Sequence, residues 1–282
     1  MARVVGESRL RARRRKKFFV RIALLCTAIV FLIGGLIALL WAPFWRIQQV
    51  NVSGAEDLSS VIQQFAQQKL AGHYFFLFPK NNVALYPKQD IERGLLAQYP
   101  TLASVSVYNV NLHAIGVTAT ERQPVAQWCS YSDAAVQSES TSTAPTACWY
   151  IDENGVVYAP VVGANASTFI TFTSSNSSPT LPWQFLTPVQ FQSLSALVTS
   201  ILQNKITDNP LIVASVDQYD DVRLQFASGF TLLFSLDDDS GDIYSRLSLA
   251  LTSDPFTSNP LSDFEYLDLR FGDKLYYKLK SP

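Results

Sequence analysis

The chain has 282 residues and is nearly neutral, with 22 basic and 23 acidic side chains, but its charges are unevenly distributed. Residues 1–21 carry nine basic and one acidic side chain, which leaves 13 basic and 22 acidic side chains in the rest of the chain. Because binding to phosphates requires clustered lysine and arginine, this acidic remainder argues against a nucleic acid as partner.

An apolar segment, residues 18–42, follows a basic tail of residues 1–17. Its residues 22–42 carry no charge, and a helix of that length, at about 1.5 Å per residue, crosses a hydrocarbon core of ~30 Å. Trp41 and Trp45 fit the aromatic belt of a membrane surface, whereas a cleaved signal peptide has a shorter apolar core. The sequence therefore predicts a retained transmembrane helix, with the basic tail in the cytoplasm and the C-terminal part outside.

The next segment, residues 43–121, predicts a small α+β unit. Apolar residues recur every third or fourth position in two stretches and every second position in two others, and a short strand ending at Ser53-Gly54 precedes them. The resulting order is strand, helix, helix, strand, strand. These stretches are residues 47–52, 58–70, 91–99, 103–107 and 115–119. One face of a small sheet is therefore expected to pack against two helices. Between the helices, Phe75, Phe76 and Phe78 form an aromatic loop that we expect to cover this core, with contact to the bilayer or a partner as the alternative.

The remaining segment, residues 122–282, consists mostly of strand patterns with two helices. The first helix is expected to begin at Thr187, because Thr187 and Gln190 form a capping box and Pro188 takes the first helical position. The second follows from the spacing of Ile243 and Leu247. The expected strands are residues 125–128, 149–151, 156–158, 169–172, 212–216, 222–226, 230–236, 266–271 and 275–279. The predicted fold class is thus α+β, with a mostly antiparallel β domain.

Two cysteines lie outside the apolar segment. Cys129 and Cys148 flank residues 130–147, which are rich in Ser, Thr and Ala and have no apolar periodicity. A disulfide that closes this loop would contribute about 3 kcal/mol in the chain-entropy model. The sequence leaves this disulfide and a pair of free thiols as alternatives, and it places Cys26 in the membrane helix.

Four stretches, taken in order, resemble the FtsQ/DivIB family of bacterial cell-division proteins. They are residues 47–54 (IQQVNVSG), residues 99–100 with 104–107 (YP, SVSV), residues 121–128 with 150–157 (ERQPVAQW, YIDENGVV) and residues 266–271 (YLDLRF). The resemblance implies a single-pass anchor, a membrane-proximal POTRA domain at residues 43–121 and a β domain at residues 122–282. It also implies a scaffold at the division septum that is linked to septal wall synthesis. The long insert at residues 130–147 departs from the family's pattern.

The C-terminal strand is the predicted site of partner binding. Leu275, Tyr277 and Leu279 alternate with Tyr276, Lys278 and Lys280, so that both faces carry large side chains. A strand at a sheet edge can accept a strand from another chain. In the family this edge binds the coiled-coil proteins FtsB and FtsL, and the resemblance assigns that role here to Phe271, Gly272, Asp273, Leu275 and Tyr277. The alternative is a closing strand whose lysines discourage pairing.

The POTRA domain has a second expected partner. By the same resemblance, an earlier division protein would bind it around Val50, Leu58 and Ile91. A third interpretation makes this domain part of a protein-export component. Export components of that kind usually carry a membrane barrel, and the distal strands are too few and too short for one.

Enzymatic function is not expected. His73 and His113 are the two histidines of the chain, and no zinc-protease or serine-hydrolase motif is present. A thiol peptidase would have to pair Cys129 or Cys148 with His113. We therefore expect no catalytic residue, cofactor, metal or small-molecule substrate; a membrane-anchored enzyme or ligand-binding sensor is the alternative.

Charged residues raise two further alternatives. A calcium loop at Asp237, Asp238, Asp239 and Asp242 would need a later bidentate carboxylate, but no glutamate follows until Glu265. We expect instead a solvent-exposed turn with a helix N-cap at Ser240 or Asp242.

Separately, two arginines adjoin acidic residues in the sequence, and either interface charges or internal ion pairs explain them. These arginines are Arg122, next to Glu121, and Arg270, near Asp268.

Overall fold

The computed structural model describes residues 7–75, 78–131, 145, 147–162, 169–174, 180–204, 206 and 209–280. It divides into two compact units, Met1–Glu121 and Arg122–Pro282. The fold is α+β, with one apolar N-terminal helix and a large, mostly antiparallel sheet, as the sequence predicted.

The first helix, α1 (Glu7–Leu40), is longer than the predicted span. It begins within the basic tail and ends two residues before Ala42. Its segment Lys17–Leu40 is long and apolar enough to cross a membrane, and none of the side chains described in it is buried. Long apolar side chains that no protein core covers are typical of a helix surrounded by lipid.

The rest of the first unit is a three-stranded sheet with two helices packed against it. The elements are β1 (Gln49–Gly54), α2 (Ser59–Leu70), β2 (His73–Tyr74), β3 (Phe78–Pro79), α3 (Lys88–Gln98), β4 (Leu102–Asn111) and β5 (Ala114–Glu121). Central β5 pairs in parallel with β1 and antiparallel with β4. Ile62 of α2, Ile91 of α3 and Val117 of β5 are fully buried in their common core. The predicted order of strands and helices is present, with the short β2–β3 hairpin added between the helices.

The end of β1 requires a glycine. Gly54 has φ +83°, and a Cβ atom there would lie 1.9 Å from the carbonyl oxygen of Ala119 on β5. A side chain would therefore clash with the neighbouring strand in a backbone conformation that L-residues rarely adopt. The turn after β1 depends on this residue.

The expectation that the aromatic loop covers the core of the first unit is wrong for Phe75. Its side chain is 86% exposed, whereas Phe78 on β3 is half-buried. Phe76 lies outside the described residues. The reason is that, within the part of the chain that the structure describes, β2 and β3 pair with each other and with no further strand, His73 with Pro79 and Tyr74 with Phe78. They form a separate hairpin, and Phe75 follows β2 directly.

The second unit is built on a ten-stranded mixed sheet. Its elements are β6 (Ala126–Ser130), β7 (Ala147–Ile151), β8 (Val156–Pro160), β9 (Thr171–Ser174), β10 (Trp183–Gln184), α4 (Pro188–Gln203), β11 (Leu211–Val216), β12 (Asp221–Phe226), β13 (Thr231–Ser235), α5 (Ser240–Leu251), β14 (Phe264–Phe271) and β15 (Lys274–Leu279). The strand order is β10-β8-β7-β6-β9-β11-β12-β13-β14-β15. Strand β9 is parallel to β6 and β11, and β13 is parallel to β14; the other pairs are antiparallel. Apolar side chains of α4 and α5 belong to the core that this sheet shares.

The helix starts of the second unit show one confirmed and one wrong prediction. Thr187 and Gln190 form the predicted capping box at α4. The N-cap of α5 is Asp239, and not Ser240 or Asp242 as expected. Asp239 has an extended backbone, and its carboxylate accepts hydrogen bonds from the backbone N–H groups of Gly241 and Asp242, so the helix begins one residue after it.

Cys129 and Cys148 form a disulfide. They lie directly opposite each other in the β6–β7 pair, beside Trp128 and Trp149, whose ring centroids are 5.4 Å apart. The Cys129 side chain is fully buried. Most of the loop that this bond closes, residues 132–144, lies outside the described residues.

Replacing both cysteines by alanine should lower the free energy of unfolding of the second unit by about 3 kcal/mol, because the open loop gains conformational entropy in the unfolded chain. Urea denaturation followed by tryptophan fluorescence measures this change. The control is Cys26→Ala, which alters an exposed thiol of α1 and should leave the transition unchanged. An equal midpoint for the double variant and the native chain would show that the bond does not stabilise the fold.

Candidate protein-interaction edge

Strand β15 is the last strand of the ten-stranded sheet. On one side it pairs antiparallel with β14, from Phe264 opposite Leu279 to Phe271 opposite Lys274. On the other side, no strand of the described residues follows it. Backbone N–H and C=O groups that point away from β14 can therefore form a ladder with an added strand.

Two of the predicted partner-binding residues hold β15 on its own sheet. Leu275 is half-buried against the core of the second unit. The Tyr277 ring contacts Phe256 and Phe264 in edge-to-face geometry, with centroid distances of 5.4 and 5.8 Å. Such aromatic pairs add about 0.5–1.5 kcal/mol to the burial of their area. These side chains position the edge strand, and part of Tyr277 stays exposed.

An exposed aromatic pair lies near the turn between β14 and β15, and consists of Phe271, the last residue of β14, and Tyr276 of β15. Phe271 is 55% exposed and Tyr276 is 47% exposed, and their rings meet edge to face with centroids 5.2 Å apart. The register of β14 and β15 shifts between Asp268 and Phe271. Tyr276 was absent from the predicted site, because sequence alternation alone does not reveal this contact across the turn. Rigid, partly exposed aromatic side chains are the residues most often found at the centre of protein interfaces.

The turn between β14 and β15 is fixed by an arginine of α5 that sequence reasoning missed. One guanidinium nitrogen of Arg246 donates to the carbonyl oxygens of Leu269 (2.9 Å) and Gly272 (2.6 Å), and another donates to the carboxylate of Asp238 (2.6 Å). Gly272 has φ +61°, and a Cβ atom there would meet no other atom within 4 Å. Glycine is therefore favoured by the left-handed backbone conformation and not by a lack of space. Asp273 is exposed at the tip of the turn. Arg246 thus ties the edge strand to a helix.

Lysines of β15 make contacts within the second unit. The Lys278 ammonium lies 2.6 Å from the carboxylate of Glu265 on β14. The Lys280 ammonium donates to the carbonyl oxygens of Ser228 and Ser262, at 2.5 and 2.7 Å. Because these charges are held by neighbouring groups, they oppose an incoming strand less than mobile lysines would.

Arg270 and Arg122 form ion pairs within the second unit. Arg270 binds both carboxylate oxygens of Asp268 (2.9 and 2.6 Å) and donates to Asp221 on β12 at 2.5 Å. Burial acts to raise the pKa of Asp268, but the hydrogen bonds and charge of Arg270 outweigh it and hold the pKa below its usual range. Arg122 pairs with the buried carboxylate of Asp152. For these two residues, the internal-pair alternative agrees with the structure.

Two of the three residues around which the second partner was expected lie in the core of the first unit. Val50 and Ile91 are buried there, whereas Leu58 is half-buried. Packing explains the apolar periodicity that drew attention to them. Binding of a partner to this unit stays a prediction.

The alternatives with metal or thiol chemistry lack a site among the described residues. No group of three or more His, Cys, Asp or Glu side chains in that part of the chain could hold a metal ion. In the acidic segment that was weighed as an alternative calcium loop, Asp238 pairs with Arg246, and Asp239 caps α5. Cys129 and Cys148 are joined, which leaves neither of them a thiolate to pair with His113.

Comparisons of this chain with protein-family models and with curated proteins give no match. The resemblance to a division-protein family therefore stays a prediction from the sequence.

Proposed function

We propose that this protein is a non-enzymatic, single-pass membrane scaffold of the bacterial division machinery, and that it recruits other division proteins through strand β15. The observation that carries the proposal is the edge position of β15 together with the exposed pair Phe271 and Tyr276. In this proposal the N-terminus lies in the cytoplasm, and both units lie outside the cytoplasmic membrane at the division septum.

The proposed mechanism at the edge is strand addition. A strand of the partner pairs with the outward backbone groups of β15, and the ladder of hydrogen bonds sets its register. The aromatic pair then supplies contact area at a low cost in side-chain entropy. By resemblance, the partner is a pair of small coiled-coil division proteins of the FtsB/FtsL type, through which the scaffold acts on septal wall synthesis.

The anchor and the first unit support the same proposal. A transmembrane helix confines the scaffold and its partners to one surface, which raises their effective concentration and allows weak contacts to persist. The β1-α2-α3-β4-β5 arrangement fits the POTRA domain that the resemblance implies, and we propose that its surface binds an earlier division protein.

Site-specific crosslinking in the source cells tests this function. A photoreactive amino acid replaces Tyr276 at the edge or, as a control, Tyr219, an exposed tyrosine in the β11–β12 turn of the same unit. After illumination of membranes from dividing cells, mass spectrometry identifies the crosslinked proteins. We expect a small single-pass coiled-coil protein to be crosslinked at position 276 and not at position 219.

Equal crosslinking at both positions would show that the edge is not a specific site. A crosslink from position 276 to a protein unrelated to division would contradict the proposed function while keeping the edge as an interface. No crosslink at position 276 in dividing cells would contradict both parts of the proposal.

A further inference from the structure

The β2–β3 hairpin is attached to the end of the apolar helix. The side-chain amide of Asn82, which is fully buried, donates to the carbonyl oxygen of Leu40, the last residue of α1, at 2.9 Å. The Trp41 ring stacks on His73 of β2, with centroids 5.1 Å apart and planes 17° from parallel. The hairpin and the residue that follows it closely are therefore in direct side-chain contact with the end of α1.

Backbone hydrogen bonds make this attachment continuous. Val83 donates to the carbonyl oxygen of Trp45 at 2.9 Å, and Ile47 donates to that of Asn81 at 2.7 Å. Arg46 and Asn82 form a β-bridge between these two bonds. The chain that leaves α1 thus runs alongside the segment that follows β3. A hairpin fixed in this way keeps a constant position relative to the end of α1.

The surface around this attachment is aromatic and basic. Phe75 projects at the hairpin tip with φ +48°, a conformation unfavourable for a bulky side chain, and Trp41 and Phe44 are exposed nearby in the chain. Residues 41–55 and 71–87 contain two basic side chains and no acidic one, although the chain beyond residue 21 is acidic overall. The two cations, Arg46 and Lys80, lie over the rings of Trp41 and Tyr74, at 5.8 and 5.3 Å from the ring centroids.

We propose that the tip of the β2–β3 hairpin lies in the headgroup region of the bilayer and forms a second membrane contact beside α1. Phe75 enters the boundary between headgroups and acyl chains, where aromatic side chains are favoured, and Arg46 and Lys80 face anionic lipid phosphates. This inference rests on the proposed membrane span. If the first unit contacts the membrane both through α1 and through the hairpin tip, these two contacts together set its tilt relative to the bilayer.

Nitroxide accessibility in the full chain tests the inference. The chain is reconstituted into vesicles of phosphatidylethanolamine and phosphatidylglycerol, and a spin label is attached at one cysteine at a time. One label replaces Phe75 and a control label replaces the exposed Val110 on β4, both in a Cys26→Ala background; a third uses the native Cys26. Cys129 and Cys148 are joined and do not react. Power saturation then compares collisions with oxygen, which enters lipid, and with a water-soluble nickel chelate.

We expect the label at position 75 to resemble that at Cys26, with an oxygen-to-nickel ratio several-fold above that at position 110. If the label at Cys26 lies in lipid while position 75 is as open to nickel as position 110, the hairpin contact is wrong and the span stands. If position 75 is shielded from both reagents, protein covers the tip, and the lipid contact is again wrong. If the label at Cys26 is itself open to nickel, the proposed span fails, and with it the inference.

Discussion

Replacing Phe271 and Tyr276 together by alanine should weaken the capture of the coiled-coil partner by about 100-fold or more. Aromatic residues at the centre of an interface cost roughly 2 kcal/mol or more each when truncated, and 1.4 kcal/mol corresponds to tenfold in affinity. Both side chains are about half exposed, and their rings meet edge to face outside the core. Their removal therefore takes away contact area without opening a cavity.

Binding of the partner to the full chain in nanodiscs provides the measurement. The matched control is Tyr219→Ala, which removes an exposed tyrosine of the same unit from the β11–β12 turn, three strands from β15 in the strand order. Near-ultraviolet circular dichroism verifies that the aromatic packing of the second unit, including that of Tyr277 against Phe256 and Phe264, is kept. If the double variant binds like the native chain, the aromatic pair has no role in recognition, and a backbone ladder alone would have to explain partner binding.

Arg122→Ala should destabilise the second unit by about 3–5 kcal/mol. The change leaves the Asp152 carboxylate without its charge partner, and a buried ion that loses its partner carries an uncompensated desolvation cost. The Asp152 side chain is 4% exposed and that of Arg122 is 14% exposed. Asp152 also accepts hydrogen bonds from the backbone N–H groups of Asn154 and Val156, so its charge organises the β7–β8 turn.

The control for this prediction is Lys278→Ala, which breaks the ion pair with Glu265. Those side chains are 54% and 42% exposed, and an exposed pair contributes about 0–1 kcal/mol. Urea denaturation of both variants in detergent, followed by tryptophan fluorescence, compares the two losses. Adding Asp152→Asn to Arg122→Ala should recover part of the stability, because the orphaned charge disappears. Equal losses for the arginine and lysine variants would contradict the buried-pair argument.

Local chemistry explains which parts of the fold could be predicted from the sequence. The capping box at Thr187 and the alternation of residues 275–279 depend on neighbours within a few positions, and both elements are present. The two-residue strand β10 was missed, because a pairing over Trp183 and Gln184 leaves no periodicity to detect. The N-cap of α5 was misplaced because several consecutive aspartates and a serine suit that position equally well.

The candidate site was predictable only in part, for a related reason. Large side chains on both faces of β15 were evident from alternation, but the edge position depends on pairing across the whole sheet. Arg246 lies 26 positions from Gly272, whose carbonyl oxygen it binds. The contact between Phe271 and Tyr276 depends on a register shift. Neither contact follows from local pattern. The same limit explains why the sequence could not name Asp152 as the partner of Arg122, 30 positions away.

The two ends of the large sheet differ in length, and this has a consequence for stoichiometry. In the described part of the chain, β10 ends the sheet at one side with two paired residues, whereas β15 ends it at the other with six residues. An edge strand of two residues is too short to form a stable hydrogen-bond ladder with an added strand, whereas the six residues of β15 match the usual length of a strand. The ten-stranded sheet of each copy therefore presents one usable end. This favours the addition of one strand per copy at this sheet and prevents copies of the sheet from joining end to end into continuous fibres.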